Sequence, residues 1–164
     1  MEITSDVMLR GADWAKAIEK FGDIFKTRTH YSIYILAMTI GIMYDQRIEK
    51  LDDDGVEAKS VPRNVLQNND VGKLDFMFQA AILSTTTESM SEEERLDLAF
   101  GDKSDFNKIA FLTQFANFGV TKLNEQIADS PLETIEKLKN YFISSVEGRN
   151  LDIDSIPDDF LLEE

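Results

Sequence analysis

Cysteine is absent, which removes disulfide frameworks, thiolate zinc sites and a cysteine nucleophile together. One histidine, His30, excludes a multi-histidine metal centre, and any Ser-His-Asp arrangement would have to pass through it. A membrane-length apolar run is also missing. The uncharged segment Tyr31–Tyr44 has 14 residues, against about 20 needed to span a bilayer. Lys26, Arg28 and His30 bound it on one side and Asp45, Arg47 and Glu49 on the other, so a buried core helix is expected. The first residues, MEITSDVMLRG, carry Glu2 and Asp6 and lack the basic-then-apolar order of a secretion signal. A soluble, cytoplasmic protein is the expectation.

Positive charge is scarce beyond the first third. Residues 1–50 hold seven Lys/Arg and seven Asp/Glu, whereas residues 51–164 hold ten against 24 and carry the whole net charge of -14. An acidic body repels phosphate backbones, so direct DNA binding is expected to be weak and confined to the N-terminal third. The plainest role for the acidic surface is solubility.

What is present is apolar residue at helical spacing. The 43% hydrophobic content and 11 phenylalanines support a folded globule of one domain. Gly11–Phe21 reads as an amphipathic helix with Trp14, Ala17, Ile18 and Phe21 on one face, ended by Gly22. Tyr31–Tyr44 is apolar nearly all round, with Thr29 or Thr27 as its N-cap. Ala37 and Gly41 make a small-residue strip where a second helix can approach closely, and the strip also permits a homodimer through this central helix.

Residues 48–70 carry the turn signals LDDDG, VPRN and QNND, and predict a loop with a short strand or a single turn near Val61–Leu66. Helices are then expected over Val71–Thr86, from Ser91 to about Phe100, over Asp105–Ala128 with Gly119 as a bend or an interruption, and after Ser130. Ser91–Glu94 is a capping-box pattern, and Ser130-Pro131-Leu132-Glu133 combines an N-cap, a first-turn proline and a glutamate. In that last helix Leu132, Ile135, Leu138, Tyr141, Phe142 and Val146 are expected to face the core. The fold class is therefore all-α, with one short hairpin or strand allowed near 48–70. It is a compact multi-helix domain over residues 1–148 around the central helix 31–44, followed by a tail, 149–164, of mixed acidic and bulky apolar residues.

No motif identifies catalytic, cofactor-binding or metal-binding residues. The Asp52–Asp54 run lacks the spacing of a calcium loop and reads as a solvated turn. The turn Lys26-Thr27-Arg28-Thr29-His30 is a candidate anion or partner contact, since it would join two cations to free N–H groups at a helix start; its competing reading is a solvated turn. In the tail, Asp158, Asp159, Phe160, Leu161 and Leu162 form a candidate docking segment, for a partner or for the chain's own domain.

Phe25-Lys26-Thr27, the helix carrying Ala37 and Gly41-Ile42, and Arg47 together resemble the core signature of the small proteins encoded beside bacterial DNA phosphorothioation (Dnd) genes. Phe115-Ala116-Asn117-Phe118-Gly119, Leu123 and the SPLETIEKL helix are similar to the C-terminal half of that family, so the likeness spans roughly residues 20–146. Ile42 departs from the pattern, which favours an aromatic residue after the helix glycine. The resemblance implies an accessory, non-enzymatic component of an antiphage or restriction locus, without a cofactor, whose partner is a larger ATPase or nuclease subunit. The alternative is an acidic DNA mimic that regulates a DNA-processing enzyme.

Overall fold

A computed structural model describes residues 3–27, 29–52, 55–86, 89–101 and 105–147. Among them are seven helices and one two-stranded sheet. The order is β1 (Val7–Leu9), α1 (Ala12–Phe21), α2 (Thr29–Tyr44), β2 (Lys59–Val61), α3 (Arg63–Asp70), α4 (Lys73–Thr85), α5 (Glu92–Phe100), α6 (Lys108–Glu125) and α7 (Pro131–Glu147). The mostly helical expectation holds.

The uncharged run forms α2, and α6 lies along it. Two glycines allow the approach. A Cβ added at Gly41 would lie 2.0 Å from the Phe115 carbonyl oxygen, and one at Gly119 only 1.8 Å from that of Ala37. Ala37 thus faces Gly119 while Gly41 faces Phe115, so the two helices run antiparallel with their backbones nearly touching. The small-residue strip is filled from within the chain, which leaves no surface there for a homodimer. Gly119 does not interrupt α6, whose helix continues unbroken from Lys108 to Glu125.

Ile33, Tyr34, Met38 and Ile40 of α2, with Leu112, Phe115 and Val120 of α6, are fully buried along this seam. Each such large side chain contributes about 1.5–3 kcal/mol. Phe115 also begins a chain of edge-on rings that passes through Phe111 to Phe78 of α4. Helix α1 packs on both α2 and α6 through Trp14, Ala17 and Phe21.

The strand near 61 is present, but its partner was not foreseen. β1 pairs antiparallel with β2 in the register Val7 to Val61 and Leu9 to Lys59, which turns Val7, Leu9 and Val61 inward. Three apolar residues, Val7–Leu9, give too short a pattern to distinguish from coil. Pro62 then starts α3, and the Asp6 carboxylate accepts the Arg63 N–H at 2.8 Å, tying the two segments together.

Local capping follows the expected chemistry at α5 and α7. Ser91 and Glu94 complete a reciprocal capping box, and the Ser130 hydroxyl accepts the Glu133 N–H at 3.2 Å. Three details differ. Thr29 is the first residue of α2 and not its cap, because its hydroxyl donates backward to the Phe25 carbonyl. Helix α4 starts at Lys73, since Val71 and Gly72 both take left-handed backbone angles. On α7, Leu132 and Ile135 face solvent while Leu138 is buried and Tyr141 and Phe142 are half-buried. The apolar positions of that helix cover more than one face, and a single stripe was the wrong reading. The side chain of Val146 lies outside the described residues.

Candidate functional site

The expected anion site lies where α2 begins. Lys26 and Thr27 are exposed, His30 is half-buried, and Arg28 lies outside the described residues. His30 Nδ1 lies 2.7 Å from the Ser60 carbonyl oxygen. A carbonyl can only accept, so Nδ1 carries the proton and donates, which locks the ring and pins β2 to α2. Beside it, Thr29, His30, Tyr31, Pro62 and Val65 line a depression of about 310 Å³. The Tyr31 hydroxyl is directed elsewhere and donates to the Asn69 carbonyl at 3.2 Å. Lys26 and His30 therefore flank the start of one helix, but His30 already serves as a structural clip. The candidate docking residues Asp158, Asp159, Phe160, Leu161 and Leu162 lie outside the described residues, as do Asp53 and Asp54.

Interior polar groups serve the framework. Trp14 Nε1 donates to Asn117 Oδ1 at 3.0 Å, and the Asn117 amide donates to the carbonyls of Ile48 and Glu49 at 3.1 and 3.4 Å. The Ile48 N–H completes the stitch by donating to the Gln114 carbonyl. One turn-pair further along α6, the Asn124 amide donates to the backbone and side-chain oxygens of Asp13. The Asp70 carboxylate accepts the Leu74 N–H at 2.7 Å and closes the turn between α3 and α4. Tyr34 reaches Thr113 at 3.0 Å, and burial pushes its phenol well above the ordinary value. Sequence reading quoted Asn117 without giving it a role and missed Asn124. The available signal was their seven-residue spacing within one helical segment, which puts both amides on one face of the helix.

Arg47 lies with its guanidinium 5.2 Å from the Phe111 ring centre and 5.6 Å from that of Phe115. Ala37, Gly41, Arg47, Phe115, Asn117 and Gly119 thus all belong to the seam between α2 and α6 and to the segment stitched onto it. These residues specify close packing. Among the described residues no three His, Asp or Glu side chains gather in a way that could hold a metal ion. No described helix is long and apolar enough to cross a membrane.

The surface departs from an ordinary one at α4 and α5, which pack against each other. Phe76 on α4 is 70% exposed and Phe100 on α5 is 62% exposed. Leu96 lies one turn before Phe100 on the same side of α5, and exposed Glu92 and Glu93 border that side. Large aromatic side chains left in water at a cost of more than 1 kcal/mol each mark a place where another surface can land. Comparison with known proteins adds no relative: no family model, curated protein or solved structure matches the chain.

Proposed function

We propose that this chain is a non-enzymatic accessory subunit of a bacterial defence assembly of the Dnd type, which binds a larger ATPase or nuclease subunit. The setting rests on the resemblance over residues 20–146. The mode of action rests on one observation, the large aromatic side chains Phe76 and Phe100 left exposed on two helices that pack together, the second of which opens with exposed Glu92 and Glu93. Aromatic anchors surrounded by charge are the usual composition of an interface centre and its rim. Trp14, Tyr34, Asp70, Asn117 and the Asn124 amide nitrogen make bonds that hold segments of the fold together, which suits a scaffold.

Co-expression with the ATPase and nuclease subunits of a Dnd-type locus, followed by purification through a tag on this chain, tests the reading. A stoichiometric complex that is lost in a Phe76→Ser/Phe100→Ser variant of unchanged thermal stability supports it. Failure of both subunits to co-purify, or a complex indifferent to the two substitutions, refutes it. The acidic-mimic reading has its own support in the concentration of the entire charge excess within residues 51–164. On that reading the protein competes with DNA for a nuclease channel, so added duplex DNA displaces it from its partner.

A further inference from the structure

Helix α7 has two apolar faces. Thr134, Leu138, Tyr141 and Phe142 turn inward, where the Thr134 hydroxyl accepts the Ala128 N–H and donates to the Ser130 carbonyl. On the other side Leu132 is 68% exposed, and Ile135 and Ile143 are exposed as well. Glu136 and Lys139, both exposed, stand between them. At 100° per residue, Leu132, Ile135, Glu136, Lys139 and Ile143 fall within a sector about 100° wide. Among the described residues neither Glu136 nor Lys139 has an ion-pair partner.

The order of these residues along the helix is self-complementary. An isologous contact brings each residue of one copy against a matching residue of the other. With a two-fold axis midway between Glu136 and Lys139, Leu132 of one copy meets Ile143 of the other and Glu136 meets Lys139, each pair occurring twice. Ile135 falls against the aliphatic stem of the opposing Lys139. Apolar residues thus close both ends of the stripe, and opposite charges match in its middle. A parallel arrangement would set Glu136 against Glu136 and Lys139 against Lys139.

From this pattern we infer that the protein self-associates as an antiparallel dimer through the outer face of α7, with Leu132, Glu136, Lys139 and Ile143 in the contact. The inference is independent of the partner surface on α4 and α5 and leaves that surface open.

Sedimentation equilibrium of the full chain over a range of concentrations tests it. The mass should rise from that of the 18.7 kDa monomer toward twice that value. Glu136→Lys places four positive charges at the centre of the contact, and Lys139→Glu places four negative ones. Each variant alone should weaken association by at least about tenfold. Mixed in equal amounts, the two variants should form a heterodimer, and the double exchange Glu136→Lys/Lys139→Glu should restore the homodimer. All three variants change exposed positions, so their thermal stability as monomers should match the native chain. A native chain that stays monomeric throughout overturns the inference. So does a dimer whose strength ignores both single substitutions, since that contact would use another face.

Discussion

Placing a methyl group at residue 119 is the sharpest test of how this fold is held. In an isolated helix Gly→Ala is favourable by about 0.8–1.0 kcal/mol. Here the added Cβ would lie 1.8 Å from the Ala37 carbonyl oxygen and 2.6 Å from its carbon. Ordinary contacts between heavy atoms lie at about 3.5–4.0 Å, so α2 and α6 must separate by roughly 1.5 Å at this point. The obstacle is backbone and cannot swing aside. A radial gap of even 0.5–1 Å forfeits about a quarter to a half of each dispersion contact along the seam, and overpacking of this kind costs about 1–3 kcal/mol or more. With the upper end of that range offset by helix propensity, Gly119→Ala should destabilise the protein by about 2 kcal/mol, or roughly 4–8 °C in Tm for a domain of this size. Gly41→Ala, opposite Phe115, should behave alike, and the double variant should cost less than the sum because one separation serves both methyl groups. Gly22→Ala is the control: its φ of -58° suits alanine, and a change near zero is expected. Differential scanning calorimetry reads all four. A Gly119→Ala protein that melts at or above the native temperature would show that the two helices do not meet at these glycines.

Three further outcomes follow from the interior and the turns. Asn117→Leu keeps the branched outline of the side chain, in a larger volume, but strands the buried Trp14 N–H and the Ile48 carbonyl, so it should cost about 2–4 kcal/mol. Urea unfolding followed by the fluorescence of Trp14, the single tryptophan, checks this, and an unchanged midpoint would dismiss the cross-link. Val71 is 88% exposed and held at φ 41°, a left-handed angle that a β-branched residue adopts with strain. Val71→Asn should therefore stabilise by about 1 kcal/mol, and a lower Tm would contradict the assigned turn. Burial raises the Tyr34 phenol above its ordinary value, so the folded state keeps a proton that the unfolded chain releases. Its contribution to stability is complete below about pH 10 and declines as pH climbs from there toward the folded-state value. Tyr34→Phe should lower neutral-pH stability by about 1 kcal/mol, through loss of the Thr113 bond, and flatten the alkaline decline. Some slope should survive, because burial and then Tyr44 raise the Tyr141 phenol too. An alkaline slope identical to that of the native chain would count against the assignment.

Elements specified by strong local chemistry were legible before any coordinates. The uncharged run had to be a core helix, and the pairs Ser91/Glu94 and Ser130/Pro131 placed two helix starts by capping alone. The helical spacing of Trp14, Ala17 and Phe21 identified the buried face of α1. What stayed hidden depends on residues far apart in sequence. Nothing near Gly119 reveals that its partner is Ala37, so a helix glycine read as a bend turned out to be a contact. The strand Val7–Leu9 exists because Lys59–Val61 lies beside it, and three residues carry too little pattern to announce that. His30 was read as a candidate anion ligand because its neighbours Lys26 and Arg28 are cationic. The structure adds a partner for its Nδ1, the Ser60 carbonyl, 30 residues away. The second apolar face of α7 was visible as apolar residues, but their number and not their angular spread governed the reading.

The division between interior and surface bears directly on function. Close backbone approach and buried amide cross-links concentrate on α2, α6 and α1, where few substitutions can be neutral. Most of the large apolar side chains left in solvent, Phe76, Leu96, Phe100, Leu132, Ile135 and Ile143, fall on α4, α5 and α7, and Met8, Tyr44 and Val71 lie apart from them. Truncating an exposed side chain changes stability by about 0.5 kcal/mol or less, whereas an aromatic anchor at the centre of an interface can contribute 2 kcal/mol or more, roughly a thirtyfold change in affinity. Binding and folding should consequently separate in this protein. Phe76→Ser and Phe100→Ser are expected to weaken a partner with little movement in Tm, and Gly119→Ala to lower Tm with little loss of affinity at a temperature where the fold persists. If the surface and seam variants instead lost stability and binding in constant proportion, the exposed aromatics would be part of the core and no docking surface would remain on α4 and α5.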